Sequence, residues 1–132
     1  MEKGYQISEE FSFTQEDVKT FSKLSGDTNP LHLDKEFAKD TIFGKPIIHG
    51  FLGGSIFSKL LGTRFYGDGT IYLNQYIEFR RPMFVDTKYV VVMEITDIQK
   101  EKHRAVISTK VLDLDSNLVI DGEALIRNEK IC

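Results

Sequence analysis

The hydrophobic pattern of this chain changes from helical spacing to alternation near its middle, and this change limits the folds that the chain can adopt. Between Ile48 and Leu61 apolar residues recur at helical spacing, whereas after Gly67-Asp68-Gly69 they alternate with polar residues from Ile71 to Phe79. Helical spacing places apolar side chains on one face of a helix, and alternation places them on one face of a strand. The pattern therefore predicts an apolar helix followed by a strand.

Three later segments are rich in β-branched residues and predict the rest of a sheet: Thr87 to Ile98, His103 to Leu112 and Leu118 to Arg127. An antiparallel sheet needs a layer over its apolar face, and the predicted helix can supply it. That helix contains Gly50, Gly53 and Gly54, which cost about 1 kcal/mol each relative to alanine, so burial must compensate. We expect an α+β fold.

The segment before this helix predicts a strand and a short helix. Tyr5 to Phe13 alternates loosely, as a strand does. Thr14 is typical of a helix N-cap and Asp17 of the third helical position, which predicts a helix as far as Ser25. The side chains expected on its buried face are Val18, Phe21 and Leu24.

The next segment, Gly26-Asp27-Thr28-Asn29-Pro30-Leu31-His32, places a carboxylate and an imidazole five residues apart. On a continuous helix such positions lie about 140° apart around the axis and do not converge. Gly26 suits the left-handed conformation that ends a helix, and Pro30 disfavours the helical region for Asn29, so the chain turns here. Asp27 and His32 can therefore face one point as an acid/base pair. From the spacing alone, an ordinary surface turn is the alternative.

This motif, followed by Phe37-Ala38 and Pro46-Ile47-Ile48-His49-Gly50, resembles the hydratase-2 motif of the MaoC-like family of (R)-specific enoyl-CoA hydratases and dehydratases. The resemblance covers nearly the full chain. It implies the hotdog fold, an antiparallel sheet wrapped around a central helix, and a homodimer with its active site at the subunit boundary. The sequence departs from the family where Pro82-Met83-Phe84-Val85 runs into Asp86-Thr87, since a Gly-Asp turn is common there. This difference concerns hairpin geometry more than chemistry.

Hydration of an enoyl thioester requires a base for water, a proton donor for the α carbon and donors to the thioester oxygen. The resemblance assigns the catalytic dyad to Asp27 and His32, and which of them removes the proton stays open. It assigns the oxyanion N–H to Gly50, near a helix start where N–H groups lack partners. Close helix packing is the alternative for this glycine. Asn29 and Ser58 are candidate substrate-binding residues. The alternative for Asn29 is that it only stabilises the turn, and the alternative for Ser58 is that it is a helix residue without a functional role.

For the remaining histidines and several cationic residues, the sequence gives weaker evidence of a functional role. His49 is expected to fix local structure, and His103 to be solvated. Lys45, Arg80 and Arg81 are candidates to meet the phosphates of coenzyme A, although a solvated charge is the more frequent fate of such residues.

Composition limits the partners. With 17 basic and 20 acidic residues, a net charge of -3 and no dense basic stripe, we expect no nucleic-acid partner. The start lacks an apolar signal core, and the apolar run from Val90 to Met93 is far shorter than a membrane span, so we expect a cytoplasmic protein without a membrane partner. The length fits a single domain, residues 1–132.

The only cysteine is Cys132, which excludes an internal disulfide and suggests no cysteine-based metal site. We expect no metal and no cofactor, because coenzyme A is part of the substrate.

The leading hypothesis is a hydro-lyase that interconverts trans-2-enoyl and (R)-3-hydroxyacyl thioesters of coenzyme A or acyl carrier protein. The alternatives are a hotdog acyl-CoA thioesterase, which would use a carboxylate, and a catalytically silent acyl-thioester binding module. The presence of both Asp27 and His32 favours the hydro-lyase, since neither alternative requires the pair. Chain length, carrier and direction stay open.

Overall fold

The computed structural model describes residues 1–132 and contains five strands, four α-helices and one 3₁₀ turn. The strands are β1 (Gln6–Phe11), β2 (Ile71–Phe79), β3 (Tyr89–Gln99), β4 (Arg104–Asp113) and β5 (Leu118–Arg127). The helices are α1 (Gln15–Ser25), α2 (Pro30–Leu33), α3 (Lys35–Lys39) and α4 (Gly50–Thr63), and the 3₁₀ turn is Lys100–Lys102. The predicted strands and the central helix are present, and the bounds of β5 are those predicted.

All five strands form one antiparallel sheet in the order β1-β3-β4-β5-β2. The chain enters the sheet at one edge with β1, passes through the helices, and returns at the opposite edge with β2. The alternation predicted for β2 is interrupted, because its register with β5 shifts between Tyr72 and Asn74. As an edge strand β2 pairs on one side only, and its apolar residues are largely exposed.

The central helix α4 packs on one face of this sheet. Its buried side chains belong to a single hydrophobic cluster of 22 residues that includes inward-facing residues of β3, β4 and β5. The α4 members of the cluster are Leu52, Ile56, Phe57, Leu60 and Leu61. The α+β class is confirmed, and the arrangement is the hotdog fold that the resemblance implies.

The glycines of α4 permit this close packing. A Cβ at Gly53 would lie 2.6 Å from the Sδ of Met83, and one at Gly54 would lie 3.0 Å from the Cδ1 of Ile77. Contacts this short require a neighbouring side chain to move. Burial against side chains is therefore the compensation that the glycine-rich sequence predicted.

Helix α1 begins and ends as predicted, but its buried face differs. Thr14 and Asp17 form a reciprocal capping box, which confirms the predicted N-terminus. Val18 and Ser22 are buried, whereas Leu24 is 84% exposed, so its predicted burial is wrong. Val18 and Ser22 are four residues apart and share a face, while Leu24 is rotated about 200° from Ser22 and points away from it.

The segment in which the sequence departs from the family is not a hairpin. It connects β2 to β3, and these strands are not neighbours in the sheet. Asp86 adopts a left-handed conformation, with φ of 53°, and its N–H donates to the carbonyl of Phe13 at 2.8 Å. Asp tolerates this conformation better than most residues, so the chain makes the turn without glycine. None of the helices combines the length and the apolar character that a bilayer crossing requires.

Candidate active site

Asp27 lies in the turn between α1 and α2, and His32 lies within α2. Gly26 ends α1 with φ of 81°, and its N–H donates to the carbonyl of Ser22 at 2.9 Å. Asn29 is extended, with ψ of 124°, and its side-chain oxygen accepts from the N–H of Leu31. The chain thus turns where Gly26 and Pro30 predicted, and α2, which starts with Pro30, carries His32 back towards Asp27.

His32 has one defined tautomer in this environment. Its Nδ1 lies 2.8 Å from the carbonyl oxygen of Ile47, and a carbonyl can only accept, so Nδ1 carries a proton. In the neutral ring the lone pair is therefore on Nε2. The residue is buried, with 8% of its surface exposed, and its own carbonyl accepts from the side chain of Gln15. His32 thus holds Nε2 ready to accept or return a proton.

Asp27, His32 and His49 form one cluster. Taking one ring nitrogen or carboxylate oxygen from each residue, the three atoms lie within 4.8 Å of one another. A water that makes two hydrogen bonds of about 2.8 Å can bridge groups at this separation. The structure therefore brings the two predicted dyad residues together across a gap that one water can span.

His49 is the member of the cluster that the sequence did not place there. Its ring stacks on that of His32, with centroids 3.9 Å apart and an interplanar angle of 30°. Its Nε2 lies 3.2 Å from the carbonyl oxygen of Asp27 and 3.0 Å from the Oγ of Ser22. Burial is the main reason that the pKa of His49 is lowered, and the hydrogen bond to Asp27 opposes it. The one sequence signal for its position is that it immediately precedes Gly50.

Two histidines and a carboxylate are also a potential set of metal ligands. However, a metal ion bonded to a histidine nitrogen lies close to the plane of that ring, and the rings of His32 and His49 are stacked face to face with their planes inclined by 30°. The stack therefore disfavours a single ion that bonds in the plane of both rings. In addition, Nδ1 of His32 and Nε2 of His49 already contact carbonyl oxygens. The arrangement fits proton transfer better than metal binding, and the absence of a metal or cofactor stays a prediction.

Gly50 is the first residue of α4, with His49 as the N-cap. The first N–H groups of a helix have no acceptor within it, so the N–H of Gly50 is free to bind an oxygen. A Cβ at this position would lie 2.8 Å from the ring of Phe79. Both the oxyanion interpretation and the packing interpretation of this glycine therefore have a structural basis.

Two neighbouring cavities meet at Gly50 and Phe51. The first, of about 360 Å³, is lined by Phe21, Ser25, Asp27, His32, His49, Gly50 and Phe51. The second, of about 390 Å³, is mainly apolar and extends from Gly50 and Phe51 to Phe79 and Met83. A polar pocket that carries the dyad thus adjoins an apolar one.

The other candidate residues lie outside the dyad cavity. Asn29 caps α2 and does not line the cavity, which fits its alternative role in the turn. Ser58 is exposed on α4 and lines neither of these cavities. The substrate-binding roles of both stay predictions.

The cations have partners within the chain or lie apart from the dyad. Arg80 pairs with Glu78 at 2.8 Å, whereas Arg81 lines the apolar cavity. The Nζ of Lys45 lies over the ring of Phe84, 4.4 Å from its centroid. None of these contacts tests a role in binding phosphate.

His103 is less solvated than predicted. It is left-handed, with φ of 55°, and its Nδ1 lies 2.7 Å from the carbonyl oxygen of Ile131. Its Nε2 lies 3.7 Å from Glu129. His103 thus has a structural role at the start of β4, away from the dyad.

Known proteins resemble this chain in sequence and in structure. The family model described as a MaoC-like domain matches residues 1–116. An (R)-specific enoyl-CoA hydratase from Aeromonas caviae is 40% identical over 115 residues, which cover 87% of this chain and 86% of that protein. A mitochondrial 3-hydroxyacyl-(acyl-carrier-protein) dehydratase from Solanum lycopersicum is 35% identical over 123 residues, covering 92% of this chain and 73% of that protein.

A solved structure agrees with the sequence comparison. It is described as an (R)-hydratase from A. caviae involved in PHA biosynthesis, and it superposes with a TM-score of 0.92. The match has 38% sequence identity and covers 96% of each chain. The structural similarity therefore extends over nearly the whole of both chains.

Proposed function

Since the chain belongs to the MaoC-like domain family, we propose that it is an (R)-specific enoyl-CoA hydratase that also works in reverse as a 3-hydroxyacyl thioester dehydratase. The activity is that of a hydro-lyase. The observation that carries the proposal is the convergence of Asp27 and His32 across a gap that a single water can bridge.

The proposed reaction uses the pair on one water. Asp27 and His32 hold the water, one of them takes its proton, and the oxygen forms a bond to C3 of the enoyl thioester. The electron pair of the double bond moves towards the thioester carbonyl, whose oxygen becomes enolate-like. The proton is then delivered to C2, and the enolate returns to a carbonyl. Dehydration is the reverse sequence, in which the same pair removes the C2 proton and protonates the departing hydroxyl.

Gly50 is proposed to stabilise the enolate oxygen. Its N–H lies at the start of α4, where the helix dipole favours negative charge, and such a donor is most useful where charge develops. The adjoining apolar cavity is suited to the acyl chain, since Phe51 and Phe79 offer it apolar surface. With the thioester fixed there, water can approach one face of C3 only, and a single enantiomer results.

The carrier and the assembly are parts of the same proposal. Similar proteins include a CoA hydratase and an acyl-carrier-protein dehydratase, so either thioester is a candidate substrate. We propose a homodimer, because β2 leaves apolar side chains exposed at the sheet edge. A cytoplasmic location, expected from the sequence, stays a prediction that cell fractionation tests.

The test is an assay of the purified protein with crotonyl-CoA. Absorbance of the conjugated double bond should fall without release of free thiol, and chiral analysis should give the (R)-3-hydroxy product. Thiol release would support the thioesterase alternative, for which a carboxylate alone can suffice. Binding without turnover would support the silent module, and an (S) or racemic product would contradict the assignment to this class of hydratase.

A further inference from the structure

His49 contacts both members of the dyad from one buried position. We propose that His49 is a positioning residue for the reaction, whose Nε2–H holds the main chain at Asp27 while its ring face holds the imidazole of His32. The contacts are the 3.2 Å distance from Nε2 to the Asp27 carbonyl oxygen and the 3.9 Å ring stack on His32. This inference rests on the proposed hydratase function, to which it adds a third residue.

The turn that carries Asp27 has little else to hold it against the rest of the fold. Residues 23–30 are all exposed, so burial does not fix this loop. The Asp27 N–H donates to the Oγ of Ser25, and the Asn29 N–H donates to Oδ1 of Asp27, both within the turn. These local bonds keep the shape of the turn but do not connect it to the core. The hydrogen bond from His49 does make that connection.

His49 itself is rigidly held, which a positioning residue requires. Only 2% of its surface is exposed, and it sits at the N-cap of α4. Its Nε2 also contacts the Oγ of Ser22 on α1, and its ring packs against that of Phe21 at a centroid distance of 4.8 Å. The Asp27 carbonyl can only accept, and the buried Nδ1 has no partner to which it could donate, so the proton of the neutral ring is assigned to Nε2. His49 thus links two helices of the core to an exposed turn.

The ring stack completes the constraint on His32. Its Nδ1–H bond to Ile47 fixes one edge of the imidazole, but a single hydrogen bond still allows the ring to tilt. The ring of His49 covers one face and opposes that tilt. The Nε2 of His32 is thereby directed to a fixed point relative to Asp27, and misplacement of about 1 Å in such a pair can cost about a hundredfold in rate.

A matched pair of amide substitutions separates the hydrogen bond from the general effect of losing a histidine. The side-chain nitrogen of glutamine reaches about as far as Nε2, whereas that of asparagine is one methylene shorter. We expect His49→Asn to lower kcat for crotonyl-CoA hydration by about tenfold or more with KM changed less than about threefold, because substrate binding is not the affected step. His49→Gln should recover part of this loss, since it can still donate to the Asp27 carbonyl, but it should stay slower than the unsubstituted protein because it lacks the ring that covers His32.

His49→Phe and His103→Gln serve as comparisons. His49→Phe keeps a ring to cover His32 but has no donor, so it should be slower than the unsubstituted protein but faster than His49→Asn, which lacks both contacts. His103→Gln removes a histidine that contacts Ile131 and Glu129 and none of the site residues, and it should leave kcat unchanged. Circular dichroism and oligomer mass establish that each variant is folded. If His49→Asn does not fold, His49→Phe and His49→Gln decide the question, because each lacks one of the two contacts and each should be slower than the unsubstituted protein.

Amide hydrogen exchange gives a readout that does not depend on turnover. The amides of Asp27 and Asn29, which are hydrogen-bonded within the turn, should exchange faster in His49→Asn and at the unsubstituted rate in His49→Gln. A fully active His49→Asn, a His49→Gln as slow as His49→Asn, or unchanged exchange in His49→Asn would each overturn the inference. If the unsubstituted protein does not hydrate crotonyl-CoA, the proposed function fails, while the exchange experiment still decides whether His49 holds the turn.

Discussion

At the scale of single residues, Asp27 and His32 differ in burial, so substitutions at these two positions should differ in their effect on the stability of the protein. Asp27 is exposed in a turn, whereas His32 is buried and packed against His49. Asp27→Asn and His32→Ala should each lower hydration by about a hundredfold or more, the usual scale for a general acid/base group. Asp27→Asn should keep the melting temperature, while His32→Ala should lower it. Near-normal turnover in either folded variant would remove that residue from the mechanism.

Gly50 can be tested with two substitutions that separate its two interpretations. Gly50→Pro deletes the N–H, and loss of one oxyanion donor typically costs about 2.7 to 4 kcal/mol in the barrier. Gly50→Ala keeps the N–H, but its Cβ would displace the Phe79 ring, which lies 2.8 Å away. We expect Gly50→Pro to be much slower than Gly50→Ala on crotonyl-CoA, with circular dichroism used to check both folds. Equal losses would assign the glycine to packing, and full activity of a folded Gly50→Pro would place the donor elsewhere.

The neutral state of His49 predicts a pH dependence of stability. Burial lowers its pKa below the ordinary value of 6.5. The unfolded chain therefore binds this proton more readily than the folded chain, so the contribution to stability is complete above pH 6.5 and is lost as the pH falls towards the lower folded-state pKa. Urea titrations at about pH 7.5 and about pH 5.5 should show a smaller decrease for His49→Gln than for the unsubstituted protein. Equal decreases in the free energy of unfolding would show that a group other than His49 causes the pH dependence.

At the scale of elements, α4 combines glycines that the packing requires with one that it does not. A Cβ at Gly53 would lie 2.6 Å from Met83, whereas one at Gly62 meets nothing within 4 Å. Gly53→Ala should destabilise the protein by about 1 to 3 kcal/mol through overpacking. Gly62→Ala should stabilise it by up to about 1 kcal/mol, since alanine favours the helix. Denaturant titration measures both, and equal stabilisation by the two substitutions would contradict the close contact at Gly53.

At the scale of the whole molecule, the exposed edge strand β2 predicts self-association. Its exposed apolar residues are Ile71, Tyr72, Leu73, Tyr76 and Phe79. An edge strand with unpaired backbone groups and apolar side chains tends to pair with another chain. Light scattering after size exclusion at micromolar concentration should therefore give twice the subunit mass of 15.1 kDa.

A matched pair of substitutions locates that interface. Tyr76 on β2 and Leu114 in the β4–β5 turn are each 60% exposed. Tyr76→Lys should shift the mass towards the monomer, because it places a charge in the proposed interface, and Leu114→Lys should not. A monomeric unsubstituted protein would contradict the homodimer, and a dimer that resists Tyr76→Lys would place the interface on another surface.

The features that depend only on residues close together in the chain could be predicted from the sequence alone. Thr14 begins α1 with a capping box, and Gly26 ends it in the left-handed conformation, as their residue types predict. The turn at Asn29-Pro30 and the bounds of β5 also follow from local preferences and alternation. For the caps and the turn the interacting groups lie within a few residues of one another, and for β5 the alternation lies within the strand itself, so the local sequence contains the signal.

Tertiary structure alone decided which distant residues meet at the site. His49 lies 22 residues from Asp27, and its ring reaches the Asp27 carbonyl only because α1 and α4 pack together. The same packing buries Ser22 and leaves Leu24 exposed, although hydrophobicity favours the opposite. The edge position of β2 likewise follows from strand order, which alternation does not encode. Periodicity specifies which face of an element is apolar, but long-range packing selects the partner of that face.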